Sequence, residues 1–148
     1  MLFRSAAGVP FAVSPGFNPP LAAAAIAAGL PFAPGIATPG ELEQALALGC
    51  THVKPFPVEP LGGTAFLKAL AGPYSHTGIR FIPMGGIRTD ALADYLALPG
   101  VAAVGLSALS PADLVRDGRW EEISTAVHEL LQQASRAYFT TGRSTMLR

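Results

Sequence analysis

Two lysines occur in the 148 residues, and one stands where an ammonium is costly. Lys54 lies in HVKPFP (52–57), between Val53 and Pro55 and close to Phe56, whereas Lys68 fits a polar helix face. An ammonium at the end of an apolar strand loses hydration, so its pKa falls towards neutrality. A neutral amine can attack a ketone and form a Schiff base. The competing role is a lysine that snorkels to water from a strand end. Downstream, FIPMGG (81–86) ends in Gly85 and Gly86. Bare backbone N–H groups there can hold an anion, or the pair simply makes a tight turn. Ser107, after Val-Gly-Leu, either caps the next helix or hydrogen-bonds a phosphate. An imine-forming lysine plus an anion grip suggests covalent catalysis on a small phosphorylated keto acid.

These residues need a scaffold that brings strand ends together. Five runs read as strands: FAVSPG (11–16), PFAPG (31–35), HVKPFP (52–57), RFIPMGG (80–86) and VAAVGLSAL (101–109). Each is nearly continuous in apolar residues, as expected of a parallel sheet buried on both faces. A helical stretch follows each one. Residues 19–29 are alanine-rich, and Thr38-Pro39-Gly40-Glu41 is a capping box that opens a helix ended by Gly49. Thr64, Thr89 and Ser110 are expected to cap three further helices. A last helix begins near Trp120, with an apolar stripe of Trp120, Ile123, Val127, Leu130, Leu131 and Ala134 expected on the core. Strand starts at 11, 31, 52, 80 and 101 give spacings of 20, 21, 28 and 21 residues, typical of βα units. One domain over 1–138 with a tail over 139–148 is expected. Five units fall short of the eight of a closed barrel, and on counts alone an open doubly wound sheet competes.

Composition excludes several classes. The formal net charge is zero and 14% of residues are charged, which argues against a nucleic-acid partner. The long apolar stretch before Glu41 holds Pro10, Pro15, Pro19, Pro20, Pro31 and Pro34, so no membrane span is expected there. No signal peptide is read, and a cytoplasmic location is the expectation. The single cysteine, Cys50, excludes an internal disulfide and reads as a small buried apolar residue. Three scattered histidines give no metal cluster. His52 shares a strand face with Lys54 and reads as a core histidine, while His76 and His128 read as surface residues. Glu59 is either a solvated loop charge or a polar partner at the mouth of the site. Gly62 and Gly63 give loop freedom or close over a ligand.

The ordered blocks VSPGFNPP (13–20), PFAPGIATPGEL (31–42), VKPFPVEPLGG (53–63), LAGPYSHTGIRFIPMGGI (70–87), DYLALPGVAAVGLSAL (94–109) and PADLVRDGRWEEI (111–123) resemble one family. It is the class I 2-keto-3-deoxy-6-phosphogluconate (KDPG) and 4-hydroxy-2-oxoglutarate (KHG) aldolases. The resemblance implies a (β/α)₈ barrel, here a partial one with five βα units corresponding to strands 4–8 plus a C-terminal helix. It implies cofactor-independent retro-aldol cleavage of a keto acid to pyruvate and an aldehyde, and a homotrimer. Lys54 matches the imine-forming lysine, and Phe56 the aromatic beside bound pyruvate. Pro34 matches a pocket proline. Asn18 stands where some members have a substrate-binding threonine. Gly85, Gly86 and Ser107 match phosphate-binding positions. Met84 replaces a threonine found in many members. The glutamate and arginine that the family carries on its second strand have no counterpart, so a weak or inactive chain is expected. The alternatives are a non-catalytic phosphate-binding or assembly fragment, and another phosphate-binding barrel enzyme without imine chemistry.

Overall fold

The structure, a computed structural model, describes residues 8–140, with side chains described up to residue 135. The chain is α/β with parallel strand pairing. Strand β1 is Ala12–Val13, helix α1 Pro19–Ala27, β2 Phe32–Ala33, β3 Gly35–Ile36 and α2 Pro39–Ala47. Strand β4 is His52–Pro55, helix α3 Gly63–Ala71, β5 Arg80–Phe81, α4 Leu92–Leu96, α5 Ala112–Arg116 and α6 Trp120–Thr140. Short 3₁₀ turns cover Gly72–Thr77, Thr89–Ala91 and Ser107–Leu109.

Neighbouring strands follow chain order. β1 pairs with β2, β3 with β4 and β4 with β5, all parallel. Parallel bridges Phe81–Val101 and Met84–Gly105 extend the series. The order reverses nowhere among the described residues, whereas a doubly wound sheet requires a reversal.

Two expected strands arrive in pieces, and proline is the reason. A proline has no N–H to give to a ladder. Pro34 divides 31–35 into β2 and β3, yet its carbonyl still accepts from Lys54 N at 2.8 Å. Pro83 ends β5 early, although Ile82 N donates to Val53 O at 2.9 Å and Met84 N to Pro55 O at 3.1 Å. The run 101–109 corrects the sequence reading more strongly. Only Val101 and Gly105 pair, and Ser107–Leu109 is a 3₁₀ turn rather than strand. Among the described residues this run is bonded along one side only, to 80–84, and Ala102 and Ala103 are exposed.

Most of the helices start where their sequences favour it. Thr38 caps α2 in a reciprocal box with Glu41, as expected. We predict that Thr38→Ala lowers unfolding free energy by about 1 kcal/mol in urea titrations, because the Glu41 N–H loses its acceptor, the Thr38 Oγ1. The other caps differ from expectation. Asn18 caps α1, its Oδ1 accepting from Leu21 N at 3.0 Å. Gly62, with φ of +117°, opens α3 in place of Thr64, so that helix starts from a turn only glycine adopts freely. Thr89 opens a 3₁₀ turn, and Pro111 rather than Ser110 precedes α5, without a side-chain cap.

The core lies between the sheet and its helices and includes Ile36, Leu42, Val53, Leu67, Phe81 and Tyr95. Cys50 is buried within it and unpaired. Burial pushes the thiol pKa up, consistent with an inert packing role. The α6 stripe docks only in part. Leu130 is buried and Ile123, Val127 and Ala134 are half-buried, but Trp120 and Leu131 stay 61% and 58% exposed. The helix runs through residues 139 and 140, and the rest of the expected tail, 141–148, lies outside the described residues.

Candidate active site

Strand alternation separates Lys54 from the core. Val53 faces the helices and is fully buried, so its neighbour Lys54 points to the opposite face with Phe56. The ladder fixes the lysine backbone on both sides, through Lys54 N to Pro34 O at 2.8 Å and Ile82 N to Val53 O at 2.9 Å. The side chain is 8% exposed. Among the described residues its amine has no carboxylate and no hydrogen-bond acceptor. Its polar contact is with the Phe56 ring, 4.3 Å from Nζ to the centroid. A cation–π contact of this kind favours the ammonium by roughly 0.5–2 kcal/mol. Desolvation opposes it, and burial lowers the Lys54 pKa from the ordinary lysine value. At this burial the side chain does not reach water as a snorkelling lysine would.

The doubled glycine lies against the residues that follow Lys54. A Cβ on Gly85 would stand 2.7 Å from Pro57 Cα and 3.0 Å from Phe56 Cδ2, at a φ of +98°. One on Gly86 would stand 3.0 Å from Glu59 Cβ, at a φ of +85°. No other residue type permits this approach. The loop after Lys54 bonds to the turn through Val58 N to Met84 O at 2.8 Å and Glu59 N to Gly85 O at 3.1 Å. The N–H groups of Gly85 and Gly86 donate to nothing among the described residues. The turn thus presents two free donors at the strand end that follows Lys54.

The other expected residues are placed unevenly around this centre. Pro34 is fully buried and touches the site through its carbonyl. Ser107 follows Gly105, the bridge partner of Met84, and so lies at the same end of the sheet, exposed at the start of its 3₁₀ turn. Asn18 also follows a strand end, but its Oδ1 is engaged as the α1 cap. His52 is half-buried, with Nδ1 3.0 Å from Thr51 Oγ1. His76 and His128 are exposed. Among the described residues no His, Cys, Asp or Glu group is arranged to hold a metal.

Tyr95 was not legible as part of this region. Its hydroxyl donates to Glu59 Oε1 at 2.5 Å, across 36 residues of sequence. Burial, then the bond to Glu59, keeps the phenol protonated well above its usual range. An open cavity of about 340 Å³ lies alongside, lined by Glu59, Arg88, Asp90, Ala91 and Asp94. Three carboxylates against one arginine, itself paired with Asp90, make that cavity a poor phosphate site.

Fold and site together define a parallel α/β protein with a desolvated lysine and a glycine turn bearing two free N–H groups at one rim of its sheet. The sequence profile of the KDPG and KHG aldolases matches residues 3–126, and the chain belongs to that family. It is 46% identical over 127 residues to a 2-dehydro-3-deoxy-phosphogluconate aldolase of Treponema pallidum, covering 86% of this chain and 60% of that one. It is 41% identical to the KHG/KDPG aldolase of Escherichia coli K12, with 86% and 59% covered. Among solved structures, the KDPG aldolase of Legionella pneumophila superposes with a TM-score of 0.75 at 37% identity, over 82% of this chain and 58% of that one. In that structure pyruvate is captured as a covalent carbinolamine. The chain thus spans about 60% of the length of the curated relatives it matches.

Proposed function

We propose that this chain carries the imine-forming and phosphate-binding portion of a class I aldolase acting on KDPG, on 4-hydroxy-2-oxoglutarate, or on both. The observation that supports it most is the Lys54 amine, buried and unpaired, next to a turn with two free N–H donors. In this reading Lys54 attacks the C2 carbonyl of the keto acid and loses water to give the imine. Loss of the C4 hydroxyl proton then breaks the C3–C4 bond and releases the aldehyde, the electron pair passing into the iminium to give an enamine; protonation of that enamine at C3 and hydrolysis by water free pyruvate and the Lys54 amine. Phe56, Pro34 and Asn18 line the pyruvate side, and Gly85, Gly86 and Ser107 receive the phosphate. Metal and organic cofactor have no part in this scheme.

The five parallel units are read as the strand 4–8 portion of a (β/α)₈ barrel with a C-terminal helix, supported by the chain-order pairing. Such an arc suits a homo-oligomer, trimeric by family resemblance, in the cytoplasm. Among the described residues no helix is long and apolar enough to cross a membrane.

A general acid/base must move protons during imine formation and C–C cleavage. Among the described residues no carboxylate reaches the Lys54 amine, and Glu59 is committed to Tyr95. Turnover by residues 1–148 alone is therefore expected to fall about 10²–10⁴-fold below a complete site. Imine formation itself remains open to them. Incubation with pyruvate followed by borohydride reduction should leave a stable mass increment on the peptide containing Lys54. Absence of that increment in folded protein would reject the imine reading. Phosphate-dependent melting without any adduct would instead support a non-catalytic phosphate-binding role.

A further inference from the structure

We infer that the Tyr95–Glu59 pair is a positioning device that aims the two glycine N–H donors, and that it sets phosphate affinity without touching the ligand. The inference rests on the phosphate part of the reading above and gives that site its geometry. A trans peptide holds its C=O and N–H antiparallel in one plane. Among the described residues the sole cis bond is Phe56–Pro57, so the peptides 84–85 and 85–86 are trans. The carbonyl of Met84 accepts from Val58 N, and the carbonyl of Gly85 accepts from Glu59 N. Each bond pins one plane. Pinning the carbonyls towards residues 58–59 turns the Gly85 and Gly86 N–H groups the opposite way, where they meet no described acceptor.

The aim of both donors therefore depends on where residues 58 and 59 sit. Val58 is fully buried and anchors one. Glu59 is in the exposed part of the loop and is tethered by its side chain, through Oε1, to the buried Tyr95 of α4. The tether passes beside Gly63. A Cβ on Gly63 would stand 3.4 Å from both Glu59 Oε2 and Tyr95 Oη. Lys54 does not rely on this tether, because its backbone is held by β3 and by Ile82.

The test separates the two halves of the site. Tyr95→Phe removes one hydroxyl and keeps the ring in the core. Inorganic phosphate affinity, followed by calorimetry, should fall about tenfold, the usual effect of losing a hydrogen bond to a charged acceptor. The rate of borohydride-trapped pyruvate at Lys54 should change less than twofold. Glu59→Gln keeps an acceptor for the tyrosine and should retain more affinity than Glu59→Ala. The double variant Tyr95→Phe/Glu59→Ala should bind no worse than Glu59→Ala, because the two changes break one link. Circular dichroism and melting verify that each variant folds. Unchanged phosphate affinity in Tyr95→Phe, or a matching fall in both readouts, overturns the positioning role. A wild-type chain that ignores phosphate yet traps pyruvate overturns it too, and leaves the imine chemistry standing. A wild-type chain that binds phosphate but traps nothing removes the imine chemistry, while the phosphate arm still decides the role of Tyr95.

Discussion

Lys54→Met should abolish the borohydride-trapped pyruvate adduct and raise the melting temperature at neutral pH. The first half follows from chemistry, since the only other lysine, Lys68, lies exposed on α3, away from the strand end that carries Lys54. The second half follows from burial. Methionine has nearly the reach of lysine and carries no charge to desolvate. Replacement forfeits a cation–π contact with Phe56, on the order of 0.5–2 kcal/mol. Burial disfavours the charge and lowers the Lys54 pKa, and the expected result is that this desolvation outweighs the ring contact, so that removing the charge is a net gain.

The sign can be followed through pH. Below the folded-state pKa, Lys54 is protonated in both states and the full burial penalty acts on the folded one. Between that pKa and the ordinary value of 10.5, the unfolded chain holds a proton that the folded chain has released. Stability of the wild type therefore rises with pH across this window. The methionine variant lacks this slope. Its advantage should be greatest at and below neutral pH and should vanish above the ordinary lysine pKa. The trapping rate of the wild type should climb as pH approaches the folded-state pKa and stay level across this window, well before the ordinary lysine value. A variant that melts lower than wild type at pH 7 would mean that Lys54 has a stabilising partner. An adduct that persists in it would move the chemistry elsewhere.

The legible parts of this protein were the ones written locally. HVKPFP carries a lysine between apolar neighbours, and period-two alternation then requires that Val53 and Lys54 part company across the sheet. Thr38 and Glu41 stand at capping-box spacing, and the box formed. Long-range geometry was not written locally. Tyr95 sits between Leu92 and Leu98 and reads as one more core residue, and nothing near it names Glu59 as its acceptor. The caps fail for a related reason. Thr64 has the right chemistry for a cap, but Gly62 reaches a positive φ first and the helix begins there. Asn18 reads as a substrate-side amide, and its further part as the α1 cap, with Oδ1 accepting from Leu21 N, was not read from the sequence. The strand breaks at Pro34 and Pro83 could have been foreseen, because the missing donors are visible in the sequence. What could not be foreseen is that the flanking carbonyls still carry the pairing.

Gly35→Ala is expected to be the most damaging single-methyl addition near the site. Its backbone has no positive φ, so dihedral strain is not the cause. The cause is a collision. A Cβ at this position would overlap the carbonyl oxygen and carbon of Pro15 and stand 2.6 Å from Gly16 N. All three are backbone atoms and cannot rotate away. The same loop is sewn to Gly35 by Ser14, whose Oγ accepts from Gly35 N at 3.3 Å and donates to Gly16 O at 2.7 Å. Relief requires the 14–16 loop to lift from β3, which breaks the Ser14 link and opens the β1–β2 end of the sheet. The loss should be about 3 kcal/mol, at the upper end for overpacking. It should also reach the lysine, because Gly35 is the register partner of Lys54 on β4. Slower pyruvate trapping should therefore accompany the lower urea midpoint. Gly40→Ala supplies the contrast. It lies in the first turn of α2 with nothing within 4 Å of an added Cβ. That change should raise stability by about 0.5–1 kcal/mol, through reduced freedom of the unfolded chain. Equal midpoints for the two alanine variants would refute the close approach of the Pro15 loop to β3.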